Sequence, residues 1–292
     1  MFPLAPMLND LFGQMGEPIG TASNDTKSLY KAKINEAYRD ICGMWPWSTL
    51  KSTVTLASTY LCPGNLSRIC RVIDEDQQRY NFIGGINRSS PYNYNWYFAD
   101  MITAPLAEGT TLEVEEYSTA LTSTTEFPAT TCAGEYIRIG SNPGIYKIAA
   151  WTSTSALTLS DHFRGDSLDA SIFSVRPVGT QVLAFSDAAG DAIAPTDVEL
   201  TYIRIPLPLY KEEDVLELPG DCAAVRIKAL QKILALNKYD RAAGRLEEEF
   251  RSALSTMKAM EPKVPITQPN TLFARRATNT NVTILQNQLI GY

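Results

Sequence analysis

The chain has 292 residues, of which 45% are hydrophobic, and its 26 Lys and Arg against 32 Asp and Glu give a formal net charge of −6. The acidic balance argues against a surface that grips phosphate backbones, because such binding needs clustered Lys and Arg. No apolar run approaches the roughly 18 residues of a membrane span. The N-terminal MFPLAPMLND also lacks the basic start and apolar region of a signal peptide. We therefore expect a soluble protein, made in a cytoplasm, with no membrane partner.

The first predicted elements are helices. Residues 7–15 can form a short one, and residues 26–42 predict a stronger one because apolar side chains recur there at spacings of three and four. That stripe consists of Tyr30, Ile34, Ala37, Tyr38, Ile41 and Trp45. Ser23, Asn24 or Asp25 can cap its start. Gly43 and Pro46 are expected to stop it, because glycine tolerates the left-handed turn and proline disfavours helix in the residue before it.

The helix is followed by CGMWPWSTLK, which places two of the four tryptophans on either side of a proline. We predict that Pro46 fixes a bend between Trp45 and Trp47 at the point where the helix gives way to β structure. One ring is expected in the helical core and the other under the first strand. The alternative is a platform for a sugar or a nucleotide.

Alternating runs separated by Pro-Gly and Gly-Gly breakers predict antiparallel β structure from residue 48 to about residue 206. We assign residues 48–125 and 185–206 to one β region. Residues 126–184 contain five strand-like pieces between the linker-like flanks STTEFPATT and SDAAGDAIAPTD. They are predicted to be an inserted β-subdomain, a small barrel or sandwich.

Helix returns in residues 207–261, which divide at residues 237–240 into a predicted αα-hairpin. In the first helix, two apolar stripes predict that most of the circumference is buried: Ala223, Ile227, Leu230 and Leu234, and Val225, Ala229, Ile233 and Leu236. The second helix carries one apolar stripe: Ala243, Leu246, Phe250, Leu254 and Met257. With residues 1–47 this hairpin can form a helical bundle. The predicted fold class is thus α+β: a helical bundle, an antiparallel β region, an inserted small β-barrel or sandwich, and an extended C-terminal arm, residues 262–292.

Residue types that carry chemistry are sparse. His162 is the single histidine, and Asp161 and Arg164 flank it in a polar turn. Acidic pairs such as Glu113 and Glu115, and the run at residues 74–76, are typical of a solvated surface. The five cysteines are odd in number and form no CxxC, which favours isolated reduced thiols. We predict no catalytic residue, no metal site and no cofactor, and hence no enzyme.

Aromatic side chains cluster in PYNYNWYF, residues 91–98. Tyr92, Tyr94, Trp96 and Phe98 alternate along a predicted strand, which is the pattern of a core or subunit-contact strand. Ligand binding by stacked aromatics is the alternative.

The order of these parts resembles the adaptor proteins of bacteriophage head–tail connectors, the family that includes the tail tubular protein A-like adaptors of short-tailed phages. The residues that carry the resemblance are KINEAYRDICGMWPWSTLKSTVTL, within residues 21–60, and VELTYIRIPLPL, ELPGD and RIKALQKILALNKYD, within residues 198–260. These two stretches cover roughly a third of the chain. Residues 134–176 also look like small β-modules that are inserted into phage virion proteins.

This resemblance implies a virion structural protein, assembled in the host cytoplasm, that forms a homo-oligomeric ring of twelve copies beneath the portal protein. Tail or nozzle proteins would be its other partners, and genomic DNA would pass through the ring without specific binding. Two alternatives stay open: another stopper, tail-ring or baseplate component, and a carbohydrate-binding module built on residues 126–184.

The arm provides the predicted partner contacts. Arg275 and Arg276 can pair with carboxylates of the portal or of an adjacent subunit. In an extended NVTILQNQLIGY, one face carries Val282, Ile284 and Ile290 and the other carries Thr283, Leu285 and Leu289, before the terminal Tyr292. Such a strand can add to the edge of a neighbouring sheet.

Overall fold

The computed structural model describes residues 2–56, 59–83, 92–128 and 132–261. In these residues the protein is a mixed α+β structure with four α-helices, a closed six-stranded barrel and further sheets. The chain divides into two compact units. We call Met1–Leu50 with Val215–Tyr292 the helical unit, and Lys51–Asp214 the β unit.

The helical unit is built from both ends of the chain. Its helices are α1 (Leu4–Gln14), α2 (Asn24–Met44), α3 (Ala223–Leu236) and α4 (Asp240–Met260), and a short 3-10 turn covers Ser48–Leu50. A two-residue ladder pairs β1 (Phe2–Pro3) with β15 (Val215–Leu216). The helix α3 packs against both α2 and α4, and α1 contacts α2 and α3.

Local sequence explains where α2 begins and ends. Of the three candidate caps, Ser23 is the one used: its hydroxyl accepts the Thr26 N–H at 3.1 Å. Trp45 has extended backbone angles (φ −147°, ψ 146°), as expected for a residue before proline. The prediction that Gly43 stops the helix is wrong, because Gly43 lies inside α2 without the left-handed conformation that ends a helix. Pro46 alone explains the end.

The apolar stripes define the core of the helical unit. In α1 five side chains are almost completely buried: Leu4, Met7, Leu8, Leu11 and Phe12. Phe12 stacks on Tyr30 of α2 at a centroid distance of 4.5 Å. Five of the six residues of the predicted stripe are buried in α2: Tyr30, Ile34, Ala37, Tyr38 and Ile41. The sixth, Trp45, lies just past the end of the helix and is half-buried. In α3 the second predicted stripe is buried except at its end, where Leu236 is 52% exposed.

Two sheets of the β unit pack face to face. One contains β2 (Lys51–Leu56), β14 (Val198–Arg204) and β3 (Leu66–Ile73) in the order β2-β14-β3. The other contains β4 (Asn81–Phe82), β5 (Tyr94–Met101), β12 (Gln181–Asp187) and β13 (Ala192–Ile193) in the order β13-β12-β5-β4. One apolar cluster joins them, and it includes Val72, Trp96, Leu183, Phe185 and Leu200.

The third part of the β unit is a closed antiparallel barrel with the strand order β10-β7-β6-β11-β8-β9. Its strands are β6 (Ala107–Val114), β7 (Ala120–Ser123), β8 (Tyr136–Ile139), β9 (Ile145–Ser153), β10 (Ala156–Leu159) and β11 (Leu168–Val175). Side chains fill its interior, among them Phe127, Tyr146, Phe163 and Phe173. Gly109 on β6 lies against Phe173, and a Cβ there would come within 2.7 Å of that ring. The barrel therefore has a packed core.

The structure places three predicted boundaries differently. The barrel begins with β6 and β7, residues that we assigned to the surrounding β region, and it ends at Val175. The strand β12, part of which was assigned to the insertion, belongs to the facing sheets. The helical unit resumes at Val215, which is later than the predicted residue 207. Alternation in a sequence reveals that a strand exists, but it does not reveal which strands pair with it.

Candidate interaction site

The junction of residues 45–47 is part of the core of the helical unit. The ring of Trp47 is fully buried, and its Nε1 donates a hydrogen bond to the carbonyl oxygen of Ile41 at 2.8 Å. The carbonyls in the last turn of a helix have no intrahelical partner, so Trp47 satisfies one near the end of α2. The core interpretation is confirmed for Trp47.

Trp45 occupies a different environment on the other side of Pro46. Its ring is half-buried, and Lys258 of α4 places its Nζ 4.8 Å from the ring centroid. One residue past α4, Glu261 Oε2 accepts the N–H of Ser48 at 3.0 Å. Both contacts fasten the end of α4 to the junction. Both tryptophans therefore make contacts within the helical unit. This does not favour the alternative, a platform for a ligand.

The aromatic strand β5 also contributes to a core. Trp96 is 8% exposed, and its ring lies 4.7 Å from that of Phe82 and 5.5 Å from that of Phe98. Tyr94, at the start of the strand, contacts Tyr80 at 5.5 Å and is partly exposed. The core interpretation is confirmed for Trp96, so the ring most suited to stacking on a ligand is already packed.

A polar cluster that we did not predict from the sequence lies at the end of the β unit. The carboxylate of Asp214, which is 5% exposed, accepts the hydroxyl of Tyr117. It also accepts the N–H groups of Tyr210 at 2.6 Å and of Lys211 at 2.8 Å. Tyr210 in turn donates its hydroxyl to Asp166 at 2.5 Å. We call this set, Tyr117, Asp166, Tyr210, Lys211 and Asp214, the Asp214 latch.

The Asp214 latch attaches residues 210–214 to the turns of the barrel. Lys211 Nζ lies 4.3 Å from the centroid of the Tyr117 ring and 3.5 Å from Glu116 Oε1. Burial raises the pKa of Tyr117 to about 12, and the hydrogen bond to Asp214 adds to this. The phenol therefore stays a neutral donor at physiological pH. The one local signal in the sequence is the acidic turn KEED, where Asp214 follows Lys211 by three residues.

The polar residues singled out in the sequence make local contacts within the β unit. His162 stacks on Tyr117, with ring centroids 5.6 Å apart and an interplanar angle of 23°. Asp74 accepts the Gln78 N–H at 2.8 Å and the Tyr80 hydroxyl at 3.1 Å, so it stabilises a turn. Across residues 2–56, 59–83, 92–128 and 132–261, no group of three or more His, Cys, Asp or Glu side chains could hold a metal ion.

All five cysteines are free thiols, and four of them are buried: Cys42, Cys62, Cys132 and Cys222. Burial raises the pKa of Cys62 and of Cys222 to about 12. A protonated, buried thiol is neither a nucleophile nor a metal ligand. The prediction of isolated reduced thiols agrees with this geometry.

The loop between α3 and α4 exposes large side chains of the helical unit. We call residues 236–245 the hairpin tip. Leu236 and Tyr239 are 52% and 58% exposed. Lys238 adopts a left-handed conformation (φ 63°) that turns the chain between the helices. Lys238, Arg241 and Arg245 line an open depression around Tyr239.

The cations of the helical hairpin fall into two groups. Outside the tip each has a partner: Arg226 pairs with Asp10 at 2.6 Å, Lys232 with Asp40 at 3.0 Å, and Arg251 with Glu247 at 3.0 Å. Lys228 and Lys258 lie over the rings of Phe250 and Trp45. At the tip, Lys238, Arg241 and Arg245 form no ion pair, hydrogen bond or ring contact with any residue that the structure describes. The hairpin tip is therefore the candidate interaction site.

The predicted arm contacts lie outside the described residues. They are Arg275, Arg276, Val282, Ile284, Leu285, Leu289 and Tyr292. Among the helices that the structure describes, none is long and apolar enough to cross a membrane.

In comparisons with known proteins, no family model matches the chain and no curated protein matches it significantly.

Proposed function

We propose that the chain is a virion structural protein, the head–tail connector adaptor of a bacteriophage. It forms a ring of twelve copies below the portal protein, joins the capsid to the tail and lines the channel through which DNA leaves. Its other partners are tail or nozzle proteins, and it resides in the virion after assembly in the host cytoplasm.

The observation that carries this proposal is the layout of the chain. Helices from both ends form one unit, and a continuous β unit of residues 51–214 interrupts it. The outgoing connection passes through Trp45, Pro46 and Trp47, and the returning one follows strand β14 into the helical hairpin. This is the order of parts by which the sequence resembles the connector adaptors.

We further propose the finer architecture, a helical bundle with an extended arm. The contacts of α3 with both α2 and α4 support the bundle. Residues 262–292 contain three prolines, one Lys, two Arg and no Asp or Glu. Ordering such a segment costs about 1–2 kcal/mol per residue of backbone entropy, so the arm needs a partner surface. Twelve arms that engage together would raise the avidity steeply.

The acidic balance of the chain supports the role proposed for the channel. A basic lining would hold the genome by counterion release, which would oppose its exit. With a net charge of −6, the protein is suited to a conduit through which DNA passes without specific binding.

The other candidates have less support from the described residues. Four large aromatic side chains of the barrel, Phe127, Tyr146, Phe163 and Phe173, are directed into its core, and Trp151 is partly buried against that core. This arrangement does not favour a carbohydrate-binding module. A stopper, tail-ring or baseplate component would also be a structural protein of the virion, but it would bind a neighbour other than the portal protein.

A pull-down with the portal protein from the same genome tests the proposal. The full chain is expected to be retained by immobilised portal, and a variant that ends at residue 264 is expected to lose most of that binding. Circular dichroism of the truncated variant provides the control for folding. If the portal does not retain the full chain, and a tail protein does, the connector-adaptor role is wrong.

A further inference from the structure

The hairpin tip combines free positive charge with exposed apolar side chains. Its three cations without a partner among the described residues surround Tyr239, and Leu236 lies one turn away at the end of α3. Tyr and Arg are enriched at the centres of protein–protein interfaces, where an aromatic ring is buried and a guanidinium pairs with carboxylates. In a helical unit whose other hairpin cations all have partners, this composition indicates a surface that is completed by another molecule.

The chemistry of the tip favours a protein partner over nucleic acid. The next turns of α4 carry the exposed carboxylates Glu248 and Glu249, which would repel a continuous phosphate backbone. A duplex backbone also offers no apolar surface to cover Leu236 and Tyr239. A folded protein surface can offer both separate carboxylates to pair with the cations of the tip and apolar side chains to cover Leu236 and Tyr239.

The β unit of the chain itself carries the negative charge that would complement the cations of the hairpin tip. Residues 51–214 contain eleven Lys and Arg against twenty Asp and Glu, a net charge of −9. Some of these cations are already used, as in the ion pairs of Arg176 with Glu135 and of Lys211 with Glu116. Because carboxylates outnumber cations by nine, many carboxylates of the β unit have no cation of their own. The β unit also exposes more than half of the side chains of Met101, Ile172 and Val178.

From this complementarity we propose that the hairpin tip of one copy binds the acidic β unit of a second copy of the chain. Two different surfaces meet in such a contact, which makes it heterologous, and repetition of a heterologous contact closes a ring when the rotation allows it. The inference rests on the proposed function in one respect, that copies lie side by side in one particle.

Zero-length cross-linking with a carbodiimide tests the contact, because it joins a lysine amine only to a carboxylate that it touches. Unlabelled and ¹⁵N-labelled full-length chains are mixed, so that a cross-link between two copies carries a mixed isotope signature. The samples are the chain alone at high concentration in low salt and, separately, the chain bound to portal. The expected product couples Lys238 of one copy to an Asp or Glu within residues 51–214 of another.

Matched variants separate charge at the tip from charge elsewhere on the same helix. Lys238→Arg keeps the charge and is expected to lose the cross-link while association is retained. Arg241→Glu is expected to abolish both. Arg251→Glu, which changes an exposed cation of α4 away from the tip, is expected to leave both unchanged.

The proposal is overturned if Lys238 couples only to carboxylates of its own copy in both samples, or if neither sample yields an inter-copy product. Loss of binding to a short DNA duplex on Arg241→Glu, without any effect on association, would also overturn it and assign the tip to nucleic acid. Binding to portal without the inter-copy product would contradict this inference alone. The inter-copy product without binding to portal would contradict the proposed function alone.

Discussion

Trp47 donates its indole N–H to the carbonyl oxygen of Ile41 at 2.8 Å, across the end of α2, and its ring is completely buried. We predict that Trp47→Ala lowers the free energy of unfolding by roughly 3–5 kcal/mol, because it leaves a large cavity and an unpaired carbonyl. Urea denaturation monitored by circular dichroism measures the change.

Trp45→Ala is the matched control for this prediction. Its ring is half-buried and contacts Lys258 through a cation–π interaction, which contributes about 0.5–1 kcal/mol at an exposed site. The expected loss is therefore clearly smaller than that of Trp47→Ala. Equal losses in the two variants would show that the difference in burial has no energetic consequence.

If the Asp214 latch holds residues 210–214 in place, a change at Asp214 should loosen that segment. Asp214→Asn removes the charge that organises hydrogen bonds from Tyr117, Tyr210 and Lys211, and we expect a loss of about 1.5–3 kcal/mol. Hydrogen exchange of the Tyr210 and Lys211 amides should become faster. Glu213→Gln, at an exposed neighbouring position, should leave both amides protected. Unchanged exchange in Asp214→Asn would rule out the latch.

Alanine substitutions at two glycines are expected to change the stability of the protein in opposite directions. A Cβ at Gly109 would lie 2.7 Å from Phe173 and 2.8 Å from the Thr125 hydroxyl oxygen, so Gly109→Ala should destabilise the protein by roughly 1–3 kcal/mol. Gly43 lies inside α2, and a Cβ there would meet no heavy atom within 4 Å, so Gly43→Ala should stabilise the protein by about 0.8–1 kcal/mol. Thermal unfolding compares the two variants. A lower melting temperature for Gly43→Ala would contradict the assignment of that residue to the helix.

Alkaline pH should weaken the fold through its buried tyrosines. Burial raises the pKa of both Tyr117 and Tyr146 to about 12, from an ordinary value of 10. The folded protein keeps these protons at a pH where the unfolded chain releases them, so this contribution to stability is complete below pH 10. It is lost as the pH rises from 10 towards 12. Absorbance at 295 nm follows the ionisation, and denaturant unfolding at each pH follows the stability. Ionisation of all 14 tyrosines near pH 10 with no loss of structure would contradict the prediction.

Local signals in the sequence predicted the helices and most strands correctly. The periodicity of Tyr30, Ile34 and Ile41 identified the buried face of α2, and the break at residues 237–240 matches the observed end of α3 at Leu236 and start of α4 at Asp240. These features depend on residues a few positions apart, whose spacing determines which side chains share a face.

Features that depend on distant residues could not be predicted in the same way. The barrel joins β6 to β11, whose sequences lie more than fifty residues apart, and no local pattern marks that pairing. The Asp214 latch likewise brings Asp214 to Tyr117 through the fold. The two tryptophans around Pro46 look equivalent in the sequence. Only the packing of the helices shows that Trp47 is buried and that Trp45 faces Lys258.

Cryo-electron microscopy of the full-length chain bound to the portal protein from the same genome decides whether the chain is a connector adaptor. The proposal predicts a closed ring of twelve copies below the portal, with residues 262–292 in contact with the portal or an adjacent copy. A chain that stays unbound at saturating concentration, or that decorates the portal as isolated copies with no contact between them, would contradict it.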